Sequence, residues 1–206
     1  MNNMYRFVKR FLDIFLSIFA LIITLPLDIV IAVIIKATSK GPIIFKQERL
    51  GKNGMVFKMY KFRSMINNSE HEGSGVYSGN GDPRVTSIGK FIRKTSIDEI
   101  PQFLNILKGQ MSFIGPRPVL TYHPWPYDKY TNEQKKRFNV RPGITGWAQV
   151  HGRKTVEWSQ RLKYDVYYVN NMTLLLDIKI VFKTIKQVIL LKENENVGKT
   201  VKKEDK

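Results

Sequence analysis

Two adjacent carboxylates, Asp98 and Glu99, stand among cations: Arg84, Lys90, Arg93 and Lys94 precede them, and Arg117 follows between Pro116 and Pro118. Such a pair can divide labour. One ionised carboxylate attacks an electrophilic centre while the other holds a divalent cation between phosphate groups. Arginines around a helix start suit phosphate oxygens, and the same cations would hold Asp98 in the ionised form that attack requires. A purely structural reading competes. Pro101 can open a helix that runs to about Lys108 and stops at Gly109, which sets both acids at a helix N-terminal edge, where the dipole favours negative charge. Ser96 and Glu99 also have the spacing of a capping box.

The elements that must position these residues begin at Gly41-Pro42. Ile43–Gln47 and Met55–Phe62 are short runs with β-branched and aromatic residues, and Asn53-Gly54 between them predicts a hairpin. From Lys36 to Arg63 there are eight basic residues, Lys61 among them, against one acid, Glu48. The hairpin is either a solvated one or one that faces lipid headgroups or a phosphorylated substrate. Residues 70–81 carry Gly73, Gly75, Gly79 and Gly81 among polar residues, which reads as a flexible loop and not as a dinucleotide fingerprint. Farther on, a short helix is expected near Asn132, and a glycine-rich turn over Arg141–Val150. Helical spacing covers Val156–Val169 and an amphipathic helix covers Leu174–Leu191, with Lys179, Lys183 and Lys186 on one face. That last helix either closes the core or lies in a membrane interface. Trp125 and Tyr127 suit a lipid interface or packing under a loop.

The N-terminus is of another kind. Phe11–Ile35 is a nearly unbroken apolar stretch of about 25 residues, ~37 Å as one helix, which would cross a ~30 Å hydrocarbon layer. A single span is therefore one reading. Pro26 removes a helix hydrogen bond near its middle, Asp28 would be costly at mid-bilayer depth, and Lys/Arg flank both ends. A helix–break–helix that enters and leaves by one leaflet accommodates all three observations. The expected division is residues 1–38 as the membrane segment, 39–191 as the catalytic domain and 192–206 as a polar tail.

The whole chain of 206 residues has no cysteine, 43% hydrophobic residues, and 34 Lys plus Arg against 17 Asp plus Glu, for a net charge of +17. This excludes a disulfide framework, thiolate metal sites and a disordered basic tail. The charge calls for an anionic partner: nucleic acid, anionic lipid or a phosphate-bearing small molecule. No nucleic-acid motif or aromatic stacking platform accompanies it, so a nucleic-acid partner is not expected.

The strings IFKQERLGKNG, FKMYKFRSM, DPRVTSIGKFIRKTSIDEIPQFLNILKGQMSFIGPRP and RPGITGWAQVHGR together resemble the bacterial sugar transferase family, the monotopic phosphoglycosyl transferases. The resemblance runs from the membrane segment to about residue 186, and the chain looks like the small form. It implies transfer of a sugar-1-phosphate from a UDP-sugar to polyprenyl phosphate, with release of UMP, at the cytoplasmic face of the bacterial inner membrane. It maps the family's dyad onto Asp98 as nucleophile, through a covalent phosphosugar-aspartyl intermediate, and Glu99 as a Mg²⁺ ligand. Arg93, Lys61, Arg84 and the turn Pro116-Arg117-Pro118 become phosphate and nucleotide contacts, with Arg141 as a further candidate. Pro26 matches the proline of a re-entrant membrane helix. An N-acetylated amino sugar is the implied donor. His151 stands where the family usually has a small polar residue, and is either a selectivity contact or a surface histidine. The implied fold is α+β and mainly helical: a re-entrant membrane helix, amphipathic interfacial helices and a small β-hairpin in a compact catalytic domain. No residue in these strings sets an oligomeric state.

Overall fold

Asn53-Gly54 turns the chain as its composition predicts, both residues taking positive φ, 55° and 76°. In the computed structural model, which describes residues 3–67, 69, 81–152 and 156–189, this turn joins β1 (Ile44–Leu50) to β2 (Val56–Phe62). The strands pair antiparallel from Ile44 opposite Phe62 to Leu50 opposite Val56. A two-residue strand that follows the Pro116–Pro118 turn, Val119–Leu120, docks on the other edge of β1. A separate parallel pair joins Ser112–Ile114 to Gly143–Thr145. In chain order these three short strands are β3 (Ser112–Ile114), β4 (Val119–Leu120) and β5 (Gly143–Thr145).

Helices make up most of the rest: α1 (Asn3–Thr38), α2 (Ser87–Lys94), α3 (Gln102–Leu107), α4 (Asn132–Lys135), α5 (Trp158–Asn170) and α6 (Leu174–Ile189). The helices expected near Asn132, after Val156 and from Leu174 are therefore present. α3 stops where expected, with Gly109 at φ 77° just beyond it. α2 is capped by Thr86, whose hydroxyl accepts from Gly89 N at 3.0 Å. The residues predicted to form the glycine-rich loop, apart from Gly81, and the polar tail lie outside the described residues.

α1 departs from expectation at Pro26. The predicted helix–break–helix is one helix of 36 residues with Pro26 inside it. A proline forfeits one hydrogen bond of a long ladder, and the apolar residues on both sides can satisfy their backbones only by remaining helical in a nonpolar setting. Beside it, Thr24 Oγ1 donates to Asp28 Oδ2 at 2.9 Å. The middle of α1 presents Phe15, Phe19, Ile22, Ile23, Leu25, Ile29 and Val30 outward, whereas both flanks are fastened to the rest of the protein. Asp13, 4% exposed, accepts from Ser112 Oγ and Phe113 N at 3.0 Å each. Arg10 donates to the carbonyls of Ile106 and Leu107 at 2.7 and 3.0 Å. Past the proline, Ile31 and Ile35 pack with Phe62 of β2 and Ile92 of α2, and Arg63 Nη2 donates to Ser39 O at 2.7 Å.

α6 combines its two predicted uses. Asp177 and Ile180 are buried, Asp177 accepting from Tyr168 Oη at 2.7 Å and from Tyr5 Oη and Lys9 Nζ at 2.8 Å each. Leu175, Ile178, Val181, Phe182, Ile185 and Val188 remain exposed. Tyr127 packs its ring edge-on to Phe138 at 5.1 Å, so packing under a loop is its role here.

Candidate active site

The dyad lies on a 3₁₀ turn, Ile97–Glu99, between α2 and α3. Ser96 enters it at φ 61°, a left-handed conformation unusual for a residue with a Cβ, and its side chain caps nothing. The capping box is thus a correction. Glu99 turns its carboxylate away from the helix start and toward cations: Lys61 Nζ at 2.7 Å and Arg117 Nη2 at 3.1 Å, both on Oε1. Lys61 also reaches Asp98 Oδ2 at 3.4 Å. Asp98 is 8% exposed.

Three backbones meet to build this. Lys61 comes from β2, whose outer edge is closed by α3: Asn105 Oδ1 accepts from Tyr60 N at 2.9 Å and Asn105 Nδ2 donates to Lys58 O at 2.8 Å. That clamp holds the lysine strand against the helix that follows the dyad. Arg117 comes from the turn after β3. Gly143 N donates to Pro116 O and Gly115 N to Thr145 O, each at 2.9 Å, and a Cβ on Gly115 would lie 2.5 Å from Arg141 O. Only glycine permits that approach. Arg49 Nη1 donates to Pro118 O at 3.4 Å, tying the turn to β1. A cleft beside it is lined by Leu50, Gly51, Pro116, Arg117, Arg137, Phe138, Val140 and Pro142.

The surroundings drive the two acids apart. Burial pushes Asp98 above its ordinary value and Glu99 pushes it further, against the pull of Lys61 and Arg93. Burial also raises Glu99, but Lys61 and then Arg117 outweigh it and hold that carboxyl far below its usual range. Glu99 in turn raises Arg117. The expectation that the cations chiefly hold Asp98 ionised is therefore corrected: they converge on Glu99. Adjacent carboxylates with opposed shifts are the mark of a pair with distinct roles.

The other sequence candidates divide. Arg93, in the last turn of α2, acts electrostatically on Asp98, and its Nη1 is buried without a hydrogen-bond partner among the described residues. Arg84 is committed to Asp82, Nη2 to Oδ2 at 2.6 Å, and to Ser69 O at 2.7 Å. Arg141 donates to Gly109 O at 2.7 Å, at the far end of α3 from the dyad. His151 is neither at the dyad nor a free surface group: its Nδ1 lies 2.8 Å from Trp147 O and its Nε2 2.6 Å from Lys183 Nζ. The sequence reading missed Asn105, Arg137 and Asp165. Asp165 left a signal, a charge within the Leu162, Val166, Val169 face of a predicted helix.

Metal binding can be tested against the donor set. Among the described residues no group of three or more His, Cys, Asp or Glu gathers anywhere. Two neighbouring carboxylates remain, and both cations on Glu99 take Oε1. Mg²⁺ is commonly held by one or two carboxylates plus substrate phosphates, so the set fits a metal that arrives with a phosphate-bearing substrate.

The chain thus sets a carboxylate pair faced by lysine and arginine in the same molecule as a helix long and apolar enough to cross a membrane. The family model for bacterial sugar transferases matches residues 4–191, and the chain belongs to that family. It is 47% identical over 189 residues to a UDP-N-acetylgalactosamine-undecaprenyl-phosphate N-acetylgalactosaminephosphotransferase of Aeromonas hydrophila, covering 90% of this chain and 44% of the relative. It is 42% identical over 158 residues to the uncharacterized sugar transferase EpsL of Bacillus subtilis, covering 76% and 75% respectively. A UDP-glucose:undecaprenyl-phosphate glucose-1-phosphate transferase of Klebsiella pneumoniae is 43% identical over 159 residues, 75% of this chain and 34% of the relative. The chain thus spans less than half the length of the first and third of these proteins.

Proposed function

We propose that the protein transfers a sugar-1-phosphate from a UDP-sugar to polyprenyl phosphate by two in-line displacements. An oxygen of Asp98 attacks the sugar-linked phosphorus, the bond to the UMP oxygen breaks, and UMP leaves. The acceptor's phosphate oxygen then attacks the same phosphorus, the Asp98 oxygen–phosphorus bond breaks, and polyprenyl-diphosphate-sugar departs with the carboxylate restored. The acceptor's phosphate oxygen is anionic near neutral pH, so the second displacement requires no general base. Lys61 and Arg117 hold Glu99 in place. The half-exposed Arg117 and the unpartnered Nη1 of Arg93 are suited to phosphate oxygens. Glu99 would hold Mg²⁺, which would offset the diphosphate charge. The observation that carries the reading is the pair of a buried Asp98 and a partly buried Glu99 faced by Lys61 and Arg117, in a family whose named members act on undecaprenyl phosphate.

The N-acetylated amino sugar is supported by the Aeromonas hydrophila relative, whose name carries N-acetylgalactosamine. A re-entrant α1 is supported by its two flanks. Arg10 is bonded to α3 and Ile35 to Arg63, on the same domain, while the exposed apolar residues lie between them. A span would set those flanks on opposite sides of the bilayer. With the catalytic domain on the cytoplasmic face of the inner membrane, α6 would lay its exposed apolar face in the interface.

The test is UMP release from a panel of UDP-sugars with undecaprenyl phosphate in nanodiscs, with and without EDTA. Release should require acceptor lipid and Mg²⁺ and be fastest with an N-acetylated amino sugar. Silence across the whole panel would remove the transferase reading, and a preference for UDP-glucose would remove the amino sugar. Cysteines at Asn2 and Tyr60 should be labelled from one side of the membrane; opposite sides would mean a span.

A further inference from the structure

Arg117 meets Glu99 from a turn that is itself held from behind. The holder is Arg137, on the 3₁₀ turn Lys136–Phe138, whose Nη2 donates to the carbonyl oxygen of Arg117 at 2.8 Å. The same guanidinium grips Asp165 of α5 through Nε at 3.0 Å and Nη2 at 2.9 Å, and both side chains are 2% exposed. One planar group does both: Nε donates to Asp165 Oδ2, and Nη2, within ion-pair distance of that same oxygen, donates to the Arg117 carbonyl.

A buried ion pair is a weak way to stabilise a fold, since apolar residues of similar volume often do as well. This pair sits in a corner that cations already crowd. Arg161, one turn earlier on α5, faces both Arg117 and Arg137 as a like charge, and Asp165 acts in the opposite sense on it. Burial pushes the Asp165 carboxyl up, while Arg137 and Arg161 draw it back down. The arrangement therefore spends a desolvated charge pair on orienting one donor, and that donor ends on the backbone of the residue that touches the dyad.

We infer that Arg137 and Asp165 are positioning residues for the transfer site. Asp165 locks the plane of Arg137, Arg137 fixes the Arg117 backbone, and the Arg117 side chain is thereby aimed at Glu99 and at the space before it. The inference rests on the transferase reading. It adds to the site two residues, from the 3₁₀ turn Lys136–Phe138 and from α5, that contact neither acid of the dyad.

The experiment is a double-mutant cycle on UMP release by the full chain in nanodiscs, with thermal unfolding followed in parallel. Arg137→Lys keeps a cation opposite Asp165 but loses the fork. It should lower kcat/KM about tenfold, as expected for a small misplacement of a catalytic group, with Tm changed by only a few degrees. In an Arg117→Ala background, where no side chain remains to be aimed, the same change should cost nothing further. Asp165→Glu, which keeps the charge and shifts the guanidinium, should behave alike and serves if Arg137→Lys fails to fold. Equal losses in both backgrounds, or no loss in either, would overturn the inference while leaving an active transferase. An inactive wild type would overturn the transferase reading itself and the inference with it.

Discussion

The two ends of α3 use arginine in opposite ways. At the C-terminal end, Arg10 donates to the carbonyls of Ile106 and Leu107 and Arg141 to Gly109 O. These carbonyls belong to the last turn of α3 and the stop just past it, where cations are favoured by the helix dipole. Around the turn that leads into the helix, Arg117 and Lys61 converge on a side-chain carboxylate. That end has acceptors to spare, because Glu99 keeps a second oxygen and Asp98 is only weakly engaged at 3.4 Å. In sequence, Arg117 and Arg141 look equivalent: each adjoins a proline in a glycine-bearing motif. What each faces decides its work, backbone at one end and a reactive acid pair at the other.

The contrast can be broken most forcefully at Arg117. Arg117→Ala should lower kcat/KM by about a hundredfold, the scale for losing one donor that acts on developing charge, with little change in Tm. Arg141→Ala should do the reverse, costing about 1 kcal/mol of stability through the lost bond to the Gly109 carbonyl while kcat stays within about threefold of wild type. UMP-release kinetics beside thermal unfolding separate the two. A large kcat loss in Arg141→Ala would restore it as a substrate contact and erase the distinction.

A smaller effect sharpens the difference within the dyad. Asp98 lies above its ordinary value, so whatever stability it contributes is present at low pH and lost as pH rises through its folded value. Glu99 lies below, so its contribution is present above its unfolded value and lost as pH falls. Near pH 7, Asp98→Asn should therefore raise Tm and Glu99→Gln lower it, each by a few degrees. The Asp98→Asn difference should shrink as pH falls toward about pH 4, whereas the Glu99→Gln difference should begin to shrink only there and vanish at still lower pH. Shifts of the same sign would mean that the two carboxylates share one environment.

Much of this was legible from local pattern. Asn53-Gly54 announced its positive φ values, Gly109 its helix stop, and Asp98-Glu99 its chemistry, because each signal spans a few residues. The misreadings have a common cause. Ser96 and Glu99 have the right spacing for a capping box, but the left-handed backbone at Ser96 and two cations from β2 and the Pro116–Pro118 turn take Glu99 elsewhere. Asp13 passed unnoticed in an apolar run because its partners are 99 and 100 positions away. Arg137 and Asp165 were invisible as a pair for the same reason: separately each is a charge on a helical turn, and only the fold joins them.

The central claim is that Asp98 is the nucleophile, and the direct measurement is the adduct itself. Wild-type protein incubated with a reactive UDP-sugar and Mg²⁺, without acceptor lipid, should gain the mass of one phosphosugar on the peptide containing Asp98 and release one equivalent of UMP. Undecaprenyl phosphate should then discharge the adduct, and Asp98→Asn should form none while remaining folded in the membrane. Sustained turnover in Asp98→Asn, or an adduct on any other residue, would contradict the account.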